Sequence, residues 1–92
     1  MGLECVQLKI EGQVQGVCYR SFVCDKARQL QLKGFVRNCS NGTVELVAEG
    51  EALHLNELID WCRKGPPHAV VTNVRVQYKS VSSLYQGFEI SC

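Results

Sequence analysis

The chain has 92 residues, of which 46% are hydrophobic and 21% charged, and its formal net charge is +1 at pH 7. This length and balance are typical of one globular domain and exclude a disordered chain. The near-zero charge disfavours a protein that mainly binds nucleic acid or an anionic membrane surface, because both tasks need a basic surplus. No secretory signal and no apolar run of membrane-spanning length is seen in the sequence.

Six cysteines are many for a chain of this length. Free thiols are favoured over disulfides, because the Leu, Val and Ile content suffices for a core without cross-links and nothing marks the chain for export. No pair has the C-x-x-C spacing of a zinc ribbon or a thioredoxin-type redox site. We therefore expect a cytoplasmic protein with reduced cysteines. Whether any thiol pairs under oxidation stays open.

The period of the apolar residues switches between two and about three and a half along the chain. In chain order, the pattern predicts a strand at 5–11, a helix at 20–31, strands at 34–39 and 43–49, a helix at 51–63, and strands at 70–79 and 85–91. The order βαββαβ plus a terminal strand is that of the ferredoxin-like split βαβ fold. We expect an α+β sandwich with two helices on one face of an antiparallel sheet, and a second face open to water.

The alternation of buried residues also predicts the register of the central hairpin. If Val36 and Leu46 both face the helices, they must lie opposite each other, which requires a loop with an odd number of residues. Ser40-Asn41-Gly42, with Gly42 in the left-handed conformation, is such a loop. Asn38 then lies beside Val44 on the helix-covered face, where a polar side chain needs a partner or a cleft. By the same alternation, Cys5 faces away from the helices, where an intermolecular disulfide could form under oxidation.

The loop from Gly12 to Tyr19 joins the first strand to the N-terminus of the first helix. Such a loop can direct several backbone N–H groups at one anion, and the helix dipole adds positive potential. Arg20, at the start of the helix, could bind phosphate oxygens with two parallel hydrogen bonds. From the spacing alone, a tight turn followed by a solvated arginine explains the segment equally well.

Other phosphate chemistries lack their motifs here. The sequence contains neither the Cys-x5-Arg of cysteine phosphatases nor the Gly-Lys-Ser/Thr of a P-loop. His54 and His68 are isolated and have no carboxylate at zinc-like spacing. What remains is a loop that binds phosphate without a covalent nucleophile or a metal site.

Two segments resemble the signatures of the acylphosphatase family. They are Gly12-x-Val14-Gln15-Gly16-Val17-x-Tyr19-Arg20 and Gly34-Phe35-Val36-Arg37-Asn38-x3-Gly42-x-Val44-x5-Gly50. The spacing of the two blocks, the chain length and the order of elements also agree, so the resemblance covers essentially the whole chain, residues 1–92. Tyr19 departs from the family, which usually has Phe there, and suggests an added hydroxyl near the site.

The resemblance implies hydrolysis of the carboxyl–phosphate bond of small acyl phosphates to carboxylate and inorganic phosphate, without metal or cofactor. It implies that Arg20 binds the phosphate and that Asn38 orients the attacking water. The backbone amides implied to share in phosphate binding are those of Gln15, Gly16, Val17, Cys18 and Tyr19. We expect a monomer that acts on a small molecule, with no nucleic-acid or membrane partner.

Two other functions stay open at this stage. RNA-recognition motifs share this order of elements, and Lys33-Gly34-Phe35 opens like their RNP1 stretch, but Arg37 and Ser40 stand where further aromatic residues are needed to stack bases. The second alternative is a domain that binds acyl phosphates without hydrolysing them. Similar domains occur fused at the start of a carbamoyltransferase used in hydrogenase maturation.

Overall fold

The computed structural model describes residues 2–91, and the elements within that range follow the predicted order. They are β1 (Leu3–Gln13), α1 (Tyr19–Gln29), β2 (Lys33–Asn38), β3 (Val44–Glu51), α2 (Ala52–Lys64), β4 (Val70–Lys79) and β5 (Phe88–Ser91). The strands form one sheet in the order β4-β1-β3-β2-β5, with both helices packed on it. This is the ferredoxin-like α+β arrangement.

The core lies between the sheet and the helices. The inward apolar residues of β1, β2 and β3 alternate with outward ones, as the sequence predicts, and are almost completely removed from solvent, whereas those of β4, Val74 and Val76, are only partly buried. The fully buried set includes Val6, Leu8, Ile10, Val36, Val44, Leu46 and Ala48 from the sheet and Val23, Ala27, Leu55 and Leu58 from the helices. Burying each large aliphatic side chain contributes roughly 1.5–3 kcal/mol. Neither helix in the described part of the chain has the length and apolarity needed to cross a membrane.

The central hairpin has the predicted register. Val36 pairs with Leu46 and Asn38 pairs with Val44. The Cys39 N–H donates to the carbonyl of Thr43 at 2.8 Å, which closes a three-residue loop whose last residue has a φ of 91°. The left-handed conformation of that glycine is the one that a loop of this type requires.

The first strand is longer than the sequence predicts. Gly12 reads as the start of a loop, but it lies inside β1, at an irregularity in the pairing with β4 between Glu11 and Gly12. Its φ is 124°, and a Cβ at this position would overlap the carbonyl of Val70. The glycine therefore marks a bulge where two strands approach closely, and β1 continues to Gln13.

The sheet is mixed rather than wholly antiparallel, which corrects the prediction. β4 lies at one edge of the sheet and β5 at the other, so residues 80–87 must pass across the sheet between them. After this crossing β5 runs parallel to β2, with Val36 opposite Ile90. Alternation in a sequence shows which face a residue occupies, but it does not show the direction of a strand's neighbour.

The crossing segment also covers part of the sheet face opposite the helices, which was predicted to stay open to water. The Glu49 carboxylate accepts hydrogen bonds from the Ser82 N–H at 2.7 Å, the Ser82 hydroxyl at 2.8 Å and the Ser83 N–H at 3.1 Å. Cys5 pairs with Glu49 in the sheet and is only 3% exposed. An intermolecular disulfide through Cys5 is therefore not accessible in the folded chain.

The thiols within residues 2–91 are all free, and Cys92 lies outside the described residues. Burial raises the pKa of the Cys5 and Cys24 thiols, and it raises that of Cys62 to about 12. These three side chains stay protonated at neutral pH and are weak nucleophiles as a result.

We expect Glu49→Gln to destabilise the protein mainly at neutral pH. Burial acts to raise the pKa of Glu49, but the hydrogen bonds from Ser82 and Ser83 favour the ionised form and the pKa lies below its usual value. The resulting stabilisation is complete above the carboxyl pKa of the unfolded chain and is lost as the pH falls through the lower pKa of the folded chain. The loss at pH 7 should be on the order of 1–3 kcal/mol.

Urea unfolding of both proteins at pH 7 and pH 3 measures this effect. The difference in unfolding free energy should shrink at the lower pH. Glu4→Gln, at an exposed carboxylate of β1, is the matched control. An equal difference at the two pH values would show that the charge of Glu49 does not hold the crossing segment.

Candidate active site

The candidate site is a cavity of about 160 Å³ at the end of the sheet where β1, β2 and β5 have their C-terminal ends. It is lined by Val14, Gly16, Cys18, Tyr19, Arg20, Ser21, Asn38 and Ile90. The structure thus brings Arg20 and Asn38 together with part of the β1–α1 loop (residues 14–18). Two of the predicted loop residues, Gln15 and Val17, belong to this loop but do not line the cavity.

The β1–α1 loop holds backbone N–H groups that have no acceptor among residues 2–91. Gly16 has a φ of 75° and Cys18 a φ of 62°, so the chain enters the left-handed region twice within three residues. The first bond of α1 runs from the Phe22 N–H to the Cys18 carbonyl at 3.1 Å. In the described part of the chain, the N–H groups of residues 15–19 donate to no protein acceptor. Such a loop at a helix N-terminus is suited to bind an anion.

The Arg20 side chain adds a full positive charge to this cavity. It lies in the first turn of α1 and is half-buried. No carboxylate of the described chain lies within ion-pair distance of it. Its planar guanidinium therefore keeps its donors for a ligand, and their geometry matches two oxygens of a phosphate.

Asn38 contributes an acceptor on the other side of the cavity. It is the last residue of β2, and its Oδ1 is buried without a hydrogen-bond partner in residues 2–91. Buried polar atoms are nearly always paired in native proteins, so an unpaired one that faces a cavity indicates a ligand or a water. The amide oxygen accepts hydrogen bonds but is too weak a base to remove a proton.

Two residues of this region have roles that the sequence did not show. The sequence pattern places Ile90 in the last strand without indicating a role, and in the structure it is 44% exposed and lines the cavity together with Asn38. Gln15 was assigned only through its backbone amide, but its side chain bonds to the β2–β3 hairpin.

The hydroxyl of Tyr19 lies in the core rather than in the site, contrary to what the sequence suggested. It donates to the carbonyl of Cys62 at 2.8 Å, and burial raises the pKa of Tyr19. In α2 the Cys62 carbonyl would normally accept from the N–H of residue 66, but Pro66 has none. The tyrosine hydroxyl replaces this missing helical bond, so it stabilises the C-terminus of α2.

Tyr19→Phe should therefore lower stability, because it leaves the buried carbonyl of Cys62 without a donor. The expected loss in unfolding free energy is about 1–3 kcal/mol. Each kcal/mol lowers the Tm of a domain of this size by about 4–8 °C. Thermal unfolding followed by circular dichroism measures it. Tyr78→Phe, at an exposed tyrosine of β4, is the control. Equal Tm values for Tyr19→Phe and the wild-type would show that this bond contributes nothing to stability.

The fold and the cavity define a small α+β protein with a loop and helix N-terminus suited to bind an anion. The model of the acylphosphatase family matches residues 6–90. An acylphosphatase of Marinobacter nauticus is 53% identical over 81 residues, covering 88% of each chain. The solved structure of an acylphosphatase from Coxiella burnetii superposes with a TM-score of 0.92 at 42% identity, covering 97% of this chain and 93% of that one. The chain belongs to the acylphosphatase family, whose members are hydrolases that act on acyl phosphates.

The same fold occurs within a much longer protein. Full-length HypF, solved in a phosphate- and nucleotide-bound form, superposes with a TM-score of 0.87 at 29% identity. The match covers 99% of this chain but 12% of that one. By contrast, the acylphosphatases of M. nauticus and C. burnetii are matched over nearly their full lengths.

Proposed function

We propose that this acylphosphatase hydrolyses small acyl phosphates with the loop amides and Arg20 holding the phosphate and Asn38 orienting the water. One observation carries this proposal. A single cavity is lined by Arg20, by residues of the β1–α1 loop and by Asn38; among residues 2–91, the guanidinium has no ion pair, the N–H groups of residues 15–19 have no acceptor, and the buried Oδ1 has no hydrogen-bond partner. A phosphate would accept hydrogen bonds from the guanidinium and the N–H groups, and a water would donate one to the amide oxygen.

The phosphate half of the site, which is the amides of residues 15–19 and the guanidinium of Arg20, acts by position and charge. Phosphoryl transfer is catalysed mainly by aligning the reactants and by stabilising charge on the equatorial oxygens. The amides of residues 15–19 and the guanidinium of Arg20 are held by the backbone and by α1 before substrate binds. Little reorganisation is then needed as charge develops in the transition state.

The water half of the site, which is Asn38 and the water that it orients, needs no strong base. The water oxygen forms a bond to phosphorus while the bond from phosphorus to the carboxyl oxygen breaks, and the carboxylate leaves with the electron pair. Because a carboxylate is a good leaving group, a general acid is hardly needed. Asn38 accepts one hydrogen bond from the water through Oδ1, and an oxygen of the substrate phosphate takes the proton. The residues that line the cavity include no histidine, aspartate, glutamate or lysine.

The sheet surface favours this function over RNA binding. Arg37 contacts the Glu45 carboxylate through Nε at 2.7 Å, and Phe35 packs against Tyr85 at a centroid distance of 5.9 Å. An RNA-recognition motif needs exposed aromatic rings on this face for base stacking. Here the ring of Phe35 is engaged by a residue of the crossing segment.

A domain that binds acyl phosphates without cleaving them is the second candidate. The same Arg20 and loop amides would serve it, and the HypF match shows such a fold within a longer chain. Asn38 favours hydrolysis, because a site that only holds phosphate needs no buried acceptor beside it. Release of inorganic phosphate from benzoyl phosphate separates the two candidates.

We further propose that residues 1–92 form one domain that acts as a monomer in the cytoplasm. One chain supplies Arg20, Asn38 and the β1–α1 loop, which are the groups that the proposed reaction uses. The free cysteines suit a reducing compartment. Analytical ultracentrifugation tests the monomer, and fractionation of the source cells tests the location.

Arg20→Lys should lower kcat/KM about 10–100-fold, because lysine keeps the charge but loses the two parallel donors of the guanidinium. The measurement is hydrolysis of benzoyl phosphate in the presence of EDTA, in which we expect the wild-type to stay active. Arg75→Lys, on an exposed arginine of β4, is the control. Near-wild-type turnover in Arg20→Lys would refute the assigned role.

Asn38→Ala should lower kcat at least about tenfold and leave the affinity for phosphate nearly intact, because one hydrogen bond to the water is lost and none to the phosphate. The inhibition constant of inorganic phosphate reports phosphate binding separately from turnover. If inorganic phosphate no longer inhibits this variant, Asn38 binds the phosphate instead of the water.

A further inference from the structure

The two halves of the site come from separate segments of the chain. The amides and Arg20 belong to the β1–α1 loop and the first turn of α1, whereas Asn38 ends β2. The distance between phosphorus and water therefore depends on where the loop lies relative to the β2–β3 hairpin. The side chain of Gln15 joins the loop to the hairpin.

The side chain of Gln15 reaches across to both sides of the hairpin. Its Nε2 donates to the carbonyl of Cys39 at 2.8 Å and to the carbonyl of Thr43 at 2.9 Å. Cys39 directly follows Asn38, and Thr43 directly precedes Val44, the residue that pairs with Asn38. Both acceptors are therefore one residue from the Asn38–Val44 pair, one directly after β2 and one directly before β3.

A glutamine is suited to this contact by its chemistry. A neutral primary amide offers two N–H groups from one nitrogen, and both are used here. Gln15 is half-buried, so these bonds are partly shielded from competing water. A carboxylate of the same length would place negative charge against two carbonyl oxygens. A hydrophobic side chain of the same length would leave both carbonyls without this donor.

We propose that Gln15 is a positioning residue, whose side chain sets the placement of Asn38 relative to the phosphate held by the loop. This proposal rests on the proposed function, since it assigns Asn38 to the water. Reactions between two held groups are very sensitive to alignment, and a misplacement of about 1 Å can lower the rate about 100-fold. Gln15 contacts neither reactant through its side chain and acts through Asn38.

Positioning predicts a split between turnover and binding. Gln15→Ala keeps the backbone amide of residue 15, the left-handed residues of the loop and Arg20, so phosphate should still bind. We expect kcat for benzoyl phosphate to fall about tenfold or more, while the inhibition constant of inorganic phosphate changes less than about threefold. Gln15→Met, which keeps the length of the side chain without any donor, should behave alike.

A double-mutant cycle tests the route of the effect. If Gln15 acts by placing Asn38, then Gln15→Ala should lower kcat no further in a protein that already carries Asn38→Ala. Full additivity of the two losses in log kcat would overturn the proposal. An inhibition constant that rises in step with the loss of kcat would overturn it too, since Gln15 would then shape the phosphate half.

Gln7→Ala is the matched control for a merely structural role. Gln7 is also half-buried, and its amide bonds to Glu45 on the sheet face opposite the helices. We expect this variant to lose stability and to keep the wild-type kcat. Circular dichroism is recorded for every variant first, and Gln15→Met carries the test if Gln15→Ala does not fold. A Gln15 variant that is folded and less stable, but has wild-type kcat, would reduce Gln15 to a structural link.

Failure of the proposed function looks different. In that case the folded wild-type releases no phosphate, or Asn38→Ala keeps full kcat, and either result also removes the positioning role. If wild-type and Asn38→Ala behave as expected, the cycle decides Gln15 by itself.

Discussion

The N-terminus of α1 is the constraint on which the site depends. A helix cannot provide acceptors for its own first N–H groups, and among residues 2–91 the N–H groups of residues 15–19 have no acceptor. Gly16 and Cys18, both in the left-handed region, turn the chain at this point, and both line the cavity. Arg20 lies in the first turn of α1 and lines this cavity, so the positive charge of its guanidinium and the helix dipole would act on the same bound anion. Asn38, whose buried Oδ1 has no hydrogen-bond partner among residues 2–91, lines the same cavity.

The polar side chains discussed above fall into two groups, those that have hydrogen-bond partners within the fold and those that have none. Gln15, Tyr19 and Glu49 bond to distant backbone or hydroxyl groups, and they tie a loop, a helix end and a crossing segment to the rest of the chain. Arg20 and Asn38 find no such partner in the described residues. Because an unpaired buried polar group is costly, its persistence in a cavity is a sharper sign of function than its residue type.

Several details of the site could be predicted because they follow from local rules. The alternation of β2 and β3, combined with a three-residue loop, places Asn38 opposite Val44 on the helix-covered face, and the structure has this register. The position of Arg20 follows from the turn between a strand and a helix. The partners of Gln15 and Tyr19 could not be predicted, because each lies at least 24 residues away in sequence. No periodicity carries information over that distance.

The sequence by itself determined the order of the elements and the face on which each strand residue lies, because side-chain period and turn chemistry act within a few residues. It also indicated the family through the two segments that resemble its signatures, and that resemblance implies that Arg20 binds phosphate and that Asn38 orients the water. Only the tertiary structure decided that β5 runs parallel to β2, that residues 80–87 cover the second face, and that Gln15 joins the two halves of the site. Each of these depends on which distant segments come to lie side by side. That outcome follows from packing the whole core, in which no single segment specifies its own neighbour.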